Sequence, residues 1–192
     1  MPSDNVKMAI KRGTGELPGV IYEAVMYEAY GPGGVAILAD SLTDNKNRTT
    51  AELRNIMTKK GGNMAGAGSV SWMFTQKGYI SVTKDKIKED ELMNIVLDAG
   101  AEDMKHDENI YEVFTAVQDL EKVKQALQDK GIKWEDAELT MIPSSTIKVT
   151  GNEARQLLKL VEALEEHDDV QQVYANFDIP DEIMNEVAAE EE

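Results

Sequence analysis

The chain has 192 residues, 42% of them hydrophobic and 29% charged, enough for one large globular domain or two small ones. It contains no cysteine, which excludes disulfides, thiolate metal sites and cysteine nucleophiles. No apolar run approaches the roughly 18 residues of a membrane span, and Met1-Pro2-Ser3-Asp4-Asn5 lacks the apolar core of a secretory signal, so a cytoplasmic protein with no membrane association is expected.

The net charge of −16 is unevenly spread. Residues 1–60 carry eight Lys/Arg against seven Asp/Glu, a balance of +1, which leaves −17 on residues 61–192. Residues 181–192 hold six acids and no base, an acidic tail. A polyanion is attracted by the first third of such a chain and repelled by the rest.

In chain order, residues 3–13 read as a short helix that Ser3 caps and Gly13 ends. It is too short to stand alone and looks like the end of a helical domain, residues 1–19. Two strand-like runs follow, 26–30 and 35–42, around Gly31-Pro32-Gly33-Gly34. Thr49-Thr50-Ala51-Glu52 has the form of a capping box, and the helix it opens ends at Gly61-Gly62. Residues 61–68 read as a flexible loop, and 69–74 and 79–82 as strands. From there the order is strand, helix (90–99), strand, strand (110–117), helix (119–130), strand (138–142), the split β-α-β of ferredoxin-like folds. A last helix (152–167) and strand (170–175) cannot form a domain alone.

The expected fold class is therefore α+β. It has two ferredoxin-like α/β domains, one inserted in the other. The first is discontinuous, 20–78 with 148–180, and the second spans 79–147.

Few residues carry chemistry. A phosphate loop needs glycines leading into a helix and a following lysine. Gly31–Gly34 lead into Val35-Ala36-Ile37-Leu38, a strand, so a hairpin turn is expected there. His106 and His167 stand in acidic turns without a histidine at i+4, so no metal site is assigned. Asp168-Asp169 reads as a helix-to-strand turn. Ser69 lacks a nucleophile elbow. No catalytic set and no cofactor site emerges, and the protein reads as a non-enzyme. Tyr27, Tyr30 and Trp72 flank the helix and glycine loop in a way that suits RNA stacking, although aromatics of this kind are mostly core.

What remains is basic. Lys46 and Arg48 precede a predicted helix N-terminus, whose free amides suit phosphate oxygens. Arg54, Lys59 and Lys60 lie along and at the end of the same helix, and Lys7, Lys11 and Arg12 lie on the first one. The competing reading is a solvated helix with bases sensibly placed at its C-terminal end, diluted by Asp44 and Glu52.

The strings YEAYGPGGVAILADSLTDNKNRTTAELRNIMTKKGGNMAGAGSVSWMF and LVEALEEHDDVQQVYANFDI resemble the YebC/PmpR family, which also includes the mitochondrial translational activator of cytochrome c oxidase. The resemblance runs from NVKMAIKRGTGE to about Ile179. It implies a basic helical N-terminal domain followed by two α/β domains, one inserted in the other. It also implies a regulator of gene expression that binds DNA, or a translation factor at the ribosome, with no enzymatic activity. This chain starts where the family's helical domain is ending, and nucleic-acid or ribosome binding is expected to need that missing domain.

The expected partner is thus DNA, ribosomal RNA or the ribosome, met by Lys46, Arg48, Arg54, Lys59 and Lys60 with help from Lys7, Lys11 and Arg12. Five neutralised phosphates on duplex DNA imply a log–log salt slope of about −4.5. The alternative is a small-molecule or protein-partner binding module using a cleft between the two α/β domains. The sequence leaves the oligomeric state open.

Overall fold

The computed structural model describes residues 21–107, 109–180 and 183–184. The predicted helix at 3–13, with Lys7, Lys11 and Arg12, and most of the acidic tail lie outside the described residues. The elements are β1 (Glu23–Tyr30), β2 (Ala36–Thr43), α1 (Lys46–Lys59), β3 (Asn63–Met64), β4 (Phe74–Thr83), α2 (Glu89–Asp98), β5 (Ala101–His106), β6 (Ile110–Thr115), α3 (Leu120–Asp129), β7 (Ala137–Pro143), β8 (Ile147–Lys148), α4 (Gly151–Glu165), β9 (Val170–Ala175) and β10 (Phe177–Asp178). They divide into two compact units. One takes the described residues up to Met73 and those from Ser145 onward; the other is Phe74–Ser144.

The first unit holds a four-stranded antiparallel sheet in the order β3-β1-β2-β9. Its hairpin turns through a single 3-10 turn, Pro32–Gly34, where Gly33 and Gly34 take φ of 73° and 76°, a left-handed region that side chains avoid. The Gly31 N–H closes the turn on the Val35 carbonyl at 2.8 Å. Strands β2 and β3 run parallel with β1 between them, and α1 makes the crossover. Helix α4 then leads into β9 on the far side of β2, which places the last helix and strand in the same core as the first hairpin.

Alternation on β1 and β2 decides what that core contains. Tyr27, Ala29, Val35, Ile37 and Ala39 face the helices and pack with Leu53 and Met57 of α1 and Leu157, Leu160 and Leu164 of α4. Each fully buried leucine contributes roughly 1.5–3 kcal/mol relative to an exposed one.

The second unit has the sheet order β5-β6-β4-β7, all antiparallel, with α2 and α3 packed on Ile80, Val82, Tyr111 and Val113. Taken in its own chain order this is 4-1-3-2, the ferredoxin-like arrangement.

Three local expectations need correction. The stretch 61–68, expected as a flexible loop, holds β3, which pairs with the end of β1. Helix α1 begins at Lys46, not after a Thr49 cap: Asn45 is the N-cap, and its Oδ1 accepts from the Arg48 N–H at 3.2 Å. Thr49 is fully buried inside the helix, and Glu52 turns outward to His167 instead of reaching back. The strand expected at 69–74 is instead a loop with a 3-10 turn, Ser71–Met73, and β4 begins at Phe74. The cause is Glu28. Its carboxylate accepts from the amides of Gly68 and Val70 at 2.6 Å and of Ser71 at 2.9 Å, so those amides are not available to a strand ladder.

Candidate nucleic-acid interface

The residues Thr43 to Thr49 fold back on themselves because their short polar side chains find each other. Asn45 donates its N–H to Thr43 Oγ1 at 2.9 Å, while the Thr43 and Thr49 hydroxyls lie 2.7 Å apart, both buried. Asp169, from the turn between α4 and β9, closes the group. Its Oδ2 lies 2.6 Å from Thr49 Oγ1, 3.1 Å from Thr43 Oγ1 and 2.7 Å from Arg48 Nη2. One arrangement uses every proton once: Asn45 N–H to Thr43, Thr43 O–H to Thr49, Thr49 O–H to Asp169. Burial alone would raise the Asp169 pKa, but the hydrogen bonds from Thr49 and Arg48, with the Arg48 charge, hold it below the usual carboxylate range.

Arg48 is therefore engaged within the protein. Besides Asp169 it lies 3.0 Å from Asp44 Oδ1 and 3.8 Å from Glu52 Oε2. The groove it enters, about 660 Å³, is also lined by Glu166, His167 and Asp168. A phosphate reaching Arg48 there would meet carboxylates on every side and would have to displace Asp169. The signature Asn45-Lys46-Asn47-Arg48-Thr49 thus joins the start of α1 to the turn before β9.

Glu52, His167 and Asp169 bring ligand-type atoms within 4.8 Å of one another. His167 Nδ1 accepts from the Asp169 N–H at 3.1 Å, so the proton of a neutral ring sits on Nε2, which lies 3.0 Å from Glu52 Oε2. Neither ring nitrogen offers a free lone pair, and the Arg48 guanidinium already supplies the positive charge. This is a hydrogen-bonded corner of the fold and lacks the chemistry of a metal centre.

The other sequence-predicted cations do not form one stripe. Lys46, at the start of α1, stands 3.9 Å from Glu23 of β1, both exposed. Arg48 leans toward the α4–β9 turn. Arg54 points the other way, to Met64 of β3, with Nη2 4.0 Å from the sulfur. Lys59 closes the last turn of α1 and Lys60 is its C-cap. Among the described residues, Arg54, Lys59 and Lys60 enter no ion pair, whereas Lys46 and Arg48 do.

The aromatic expectation divides. Tyr27 is core, its hydroxyl 3.2 Å from Thr50 Oγ1. Tyr30 and Trp72 are not core: they are 40% and 73% exposed. Sequence reasoning missed Glu28, whose even position on β1 marks the sheet face away from the helices, where an acid is unremarkable without knowledge of the loop above it.

Against this geometry, the family described as TACO1/YebC second and third domain matches residues 22–177. A "Probable transcriptional regulatory protein" of Natranaerobius thermophilus is 54% identical over 187 residues, 96% of this chain and 75% of that protein. A protein of the same description from Syntrophobacter fumaroxidans is 51% identical over 98% of this chain and 76% of its own length. The crystal structure of a conserved hypothetical protein from Aquifex aeolicus, 45% identical, superposes with a TM-score of 0.78 over 94% of this chain and 74% of that one. A match of this extent in sequence and fold makes the chain a member of the TACO1/YebC family.

Proposed function

We propose that this protein regulates gene expression without catalysis, by contacting nucleic acid as DNA or as ribosomal RNA on the ribosome. The observation that carries the reading is the unpaired cationic end of α1: Arg54, Lys59 and Lys60 stand clear of carboxylates among the described residues, while the rest of the chain is strongly acidic. Arg48 and, more loosely, Lys46 act on the protein itself. The phosphate contacts therefore fall from five to three, and the expected salt slope on duplex DNA from about −4.5 to about −2.7. Of the polar side chains nearest to a reacting set, Thr43, Thr49 and Asp169 are engaged with one another, and His167 with the Asp169 N–H and Glu52.

The test is a direct competition between duplex DNA and a ribosomal RNA fragment, with ribosome sedimentation in parallel, using this chain beside the longer Natranaerobius relative. Binding of one polymer in preference to the other assigns the target. Absence of binding to both, with no cosedimentation by either protein, removes the reading.

A further inference from the structure

Glu28 is a buried carboxylate whose work is entirely local. Its side chain takes the Gly68, Val70 and Ser71 amides, and its backbone carbonyl takes the Ala65 N–H at 2.7 Å. Ser69 N–H closes on the Gly66 carbonyl at 3.2 Å, and Met73 N–H on Val70 at 2.9 Å. Segment 65–73 is thereby fixed, although it belongs to no sheet and contributes only Val70 as a fully buried side chain.

What this fixed loop displays is Trp72. The indole Nε1–H donates to the Ser69 carbonyl at 3.0 Å, and the Tyr30 hydroxyl donates to the same oxygen at 3.1 Å. The two donors therefore lie at most about 6.1 Å apart. Both polar ends are satisfied inside the protein, so what the two side chains offer to solvent is ring surface. An exposed indole on a braced loop has no role in the core.

We propose that Trp72 and Tyr30 form a stacking platform for unpaired bases of a single-stranded nucleic acid. The proposal rests on the nucleic-acid reading above and deepens it. Tyr30 ends β1 where α1 also ends: it pairs with Asn63, and a Cβ on Gly62 would stand 3.1 Å from the Tyr30 carbonyl. Lys59 and Lys60 immediately precede that glycine pair, and Arg54 reaches Met64 beside it. Cations for a backbone thus share a corner of the unit with rings for bases, the combination that single-strand binders use. The loop beside the rings is Gly66-Ala67-Gly68-Ser69, whose small side chains let a base approach closely.

The experiment uses the full chain with Trp134→Phe, so that Trp72 is the sole indole. Four probes are titrated by fluorescence and by anisotropy of a labelled strand: twelve-nucleotide oligo-U, oligo-dT of the same length, the same deoxy strand with abasic sites, and a duplex. The bases are expected to quench Trp72, and the abasic strand to bind about 10-fold more weakly than oligo-dT, from stacking of a single base. Oligo-U against oligo-dT tells RNA from DNA as the source. Trp72→Ala should lower oligo-U or oligo-dT affinity by a similar factor while leaving the salt slope unchanged, and Trp72→Phe should recover most of it. Tyr30→Ala is the second variant.

Equal affinity for abasic and intact strands, or unchanged affinity in Trp72→Ala and Tyr30→Ala with the salt slope retained, overturns the platform and leaves the charged contacts standing. Absence of all oligonucleotide binding at low salt in the unsubstituted chain overturns the platform, and the nucleic-acid reading falls with it only when the longer Natranaerobius relative also fails to bind.

Discussion

Replacing Asp169 with alanine removes the acceptor that the Thr49 hydroxyl and the Arg48 guanidinium of α1 share. Thr49 and Thr43 keep each other and the Asn45 backbone as partners, so their loss is partial. Arg48 keeps Asp44. The carboxylate is only 13% exposed, but the guanidinium is 42% exposed, which discounts the ion pair to about 0.5–1 kcal/mol. Adding roughly 1.5 kcal/mol for the short, charge-assisted bond from buried Thr49 gives a cost of about 2–2.5 kcal/mol for Asp169→Ala.

Arg48→Ala should cost about 1 kcal/mol. The pair should be coupled by 0.5–1 kcal/mol in a double-mutant cycle, on the order of an exposed ion pair. Urea unfolding followed by Trp72 fluorescence in a Trp134→Phe background reads the unit that contains both residues. If the two substitutions add without coupling, and Arg48→Ala leaves stability unchanged while weakening nucleic-acid binding, then Arg48 faces a ligand and the description of it as an internal clamp is wrong.

Glu28→Gln should release the loop. The amide of glutamine turns a donor toward backbone N–H groups that need an acceptor, at a cost of about 2–4 kcal/mol, and exchange of the Gly68, Val70 and Ser71 amides should accelerate; unchanged protection would mean the carboxylate does not hold them. Acid should destabilise the first unit. For Glu28, burial favours protonation, but the amides of Val70, Gly68 and Ser71 outweigh it and lower its pKa. Asp169 is lowered likewise. A depressed folded pKa gives stability that is fully present above the unfolded value, near 4, and lost as pH falls through the folded value. Stability should therefore drop below about pH 4, with a shallower drop in Glu28→Gln and Asp169→Asn. Stability that rises on acidification from pH 5 to pH 3 would contradict both assignments.

Much of the fold could be read from alternation and punctuation. Strand β9 and helix α4 were expected within two residues of where they stand, because Leu157 and Leu164 recur at helical spacing and Val170–Ala175 follows an acidic turn. The ferredoxin-like order of the second unit followed from its element sequence. The start of α1 did not, because Asn45 and Thr49 both make good caps in isolation, and the choice rests on Asp169, over a hundred residues away. The same contact decided the fate of Arg48: a basic residue beside a helix start looks like a phosphate ligand until a distant carboxylate is known to fill its fork. Trp72 was left between stacking and core for the converse reason. Nothing in its neighbours indicates that Glu28, on a strand forty residues earlier, holds its loop outside the core.

The most direct check is the salt dependence of duplex binding in three proteins: the unsubstituted chain, Arg48→Gln, and Arg54→Gln with Lys59→Gln and Lys60→Gln. A slope of about −2.7 that Arg48→Gln preserves and the triple substitution abolishes is the expected result. A slope that disappears with Arg48→Gln and persists in the triple variant would contradict the account.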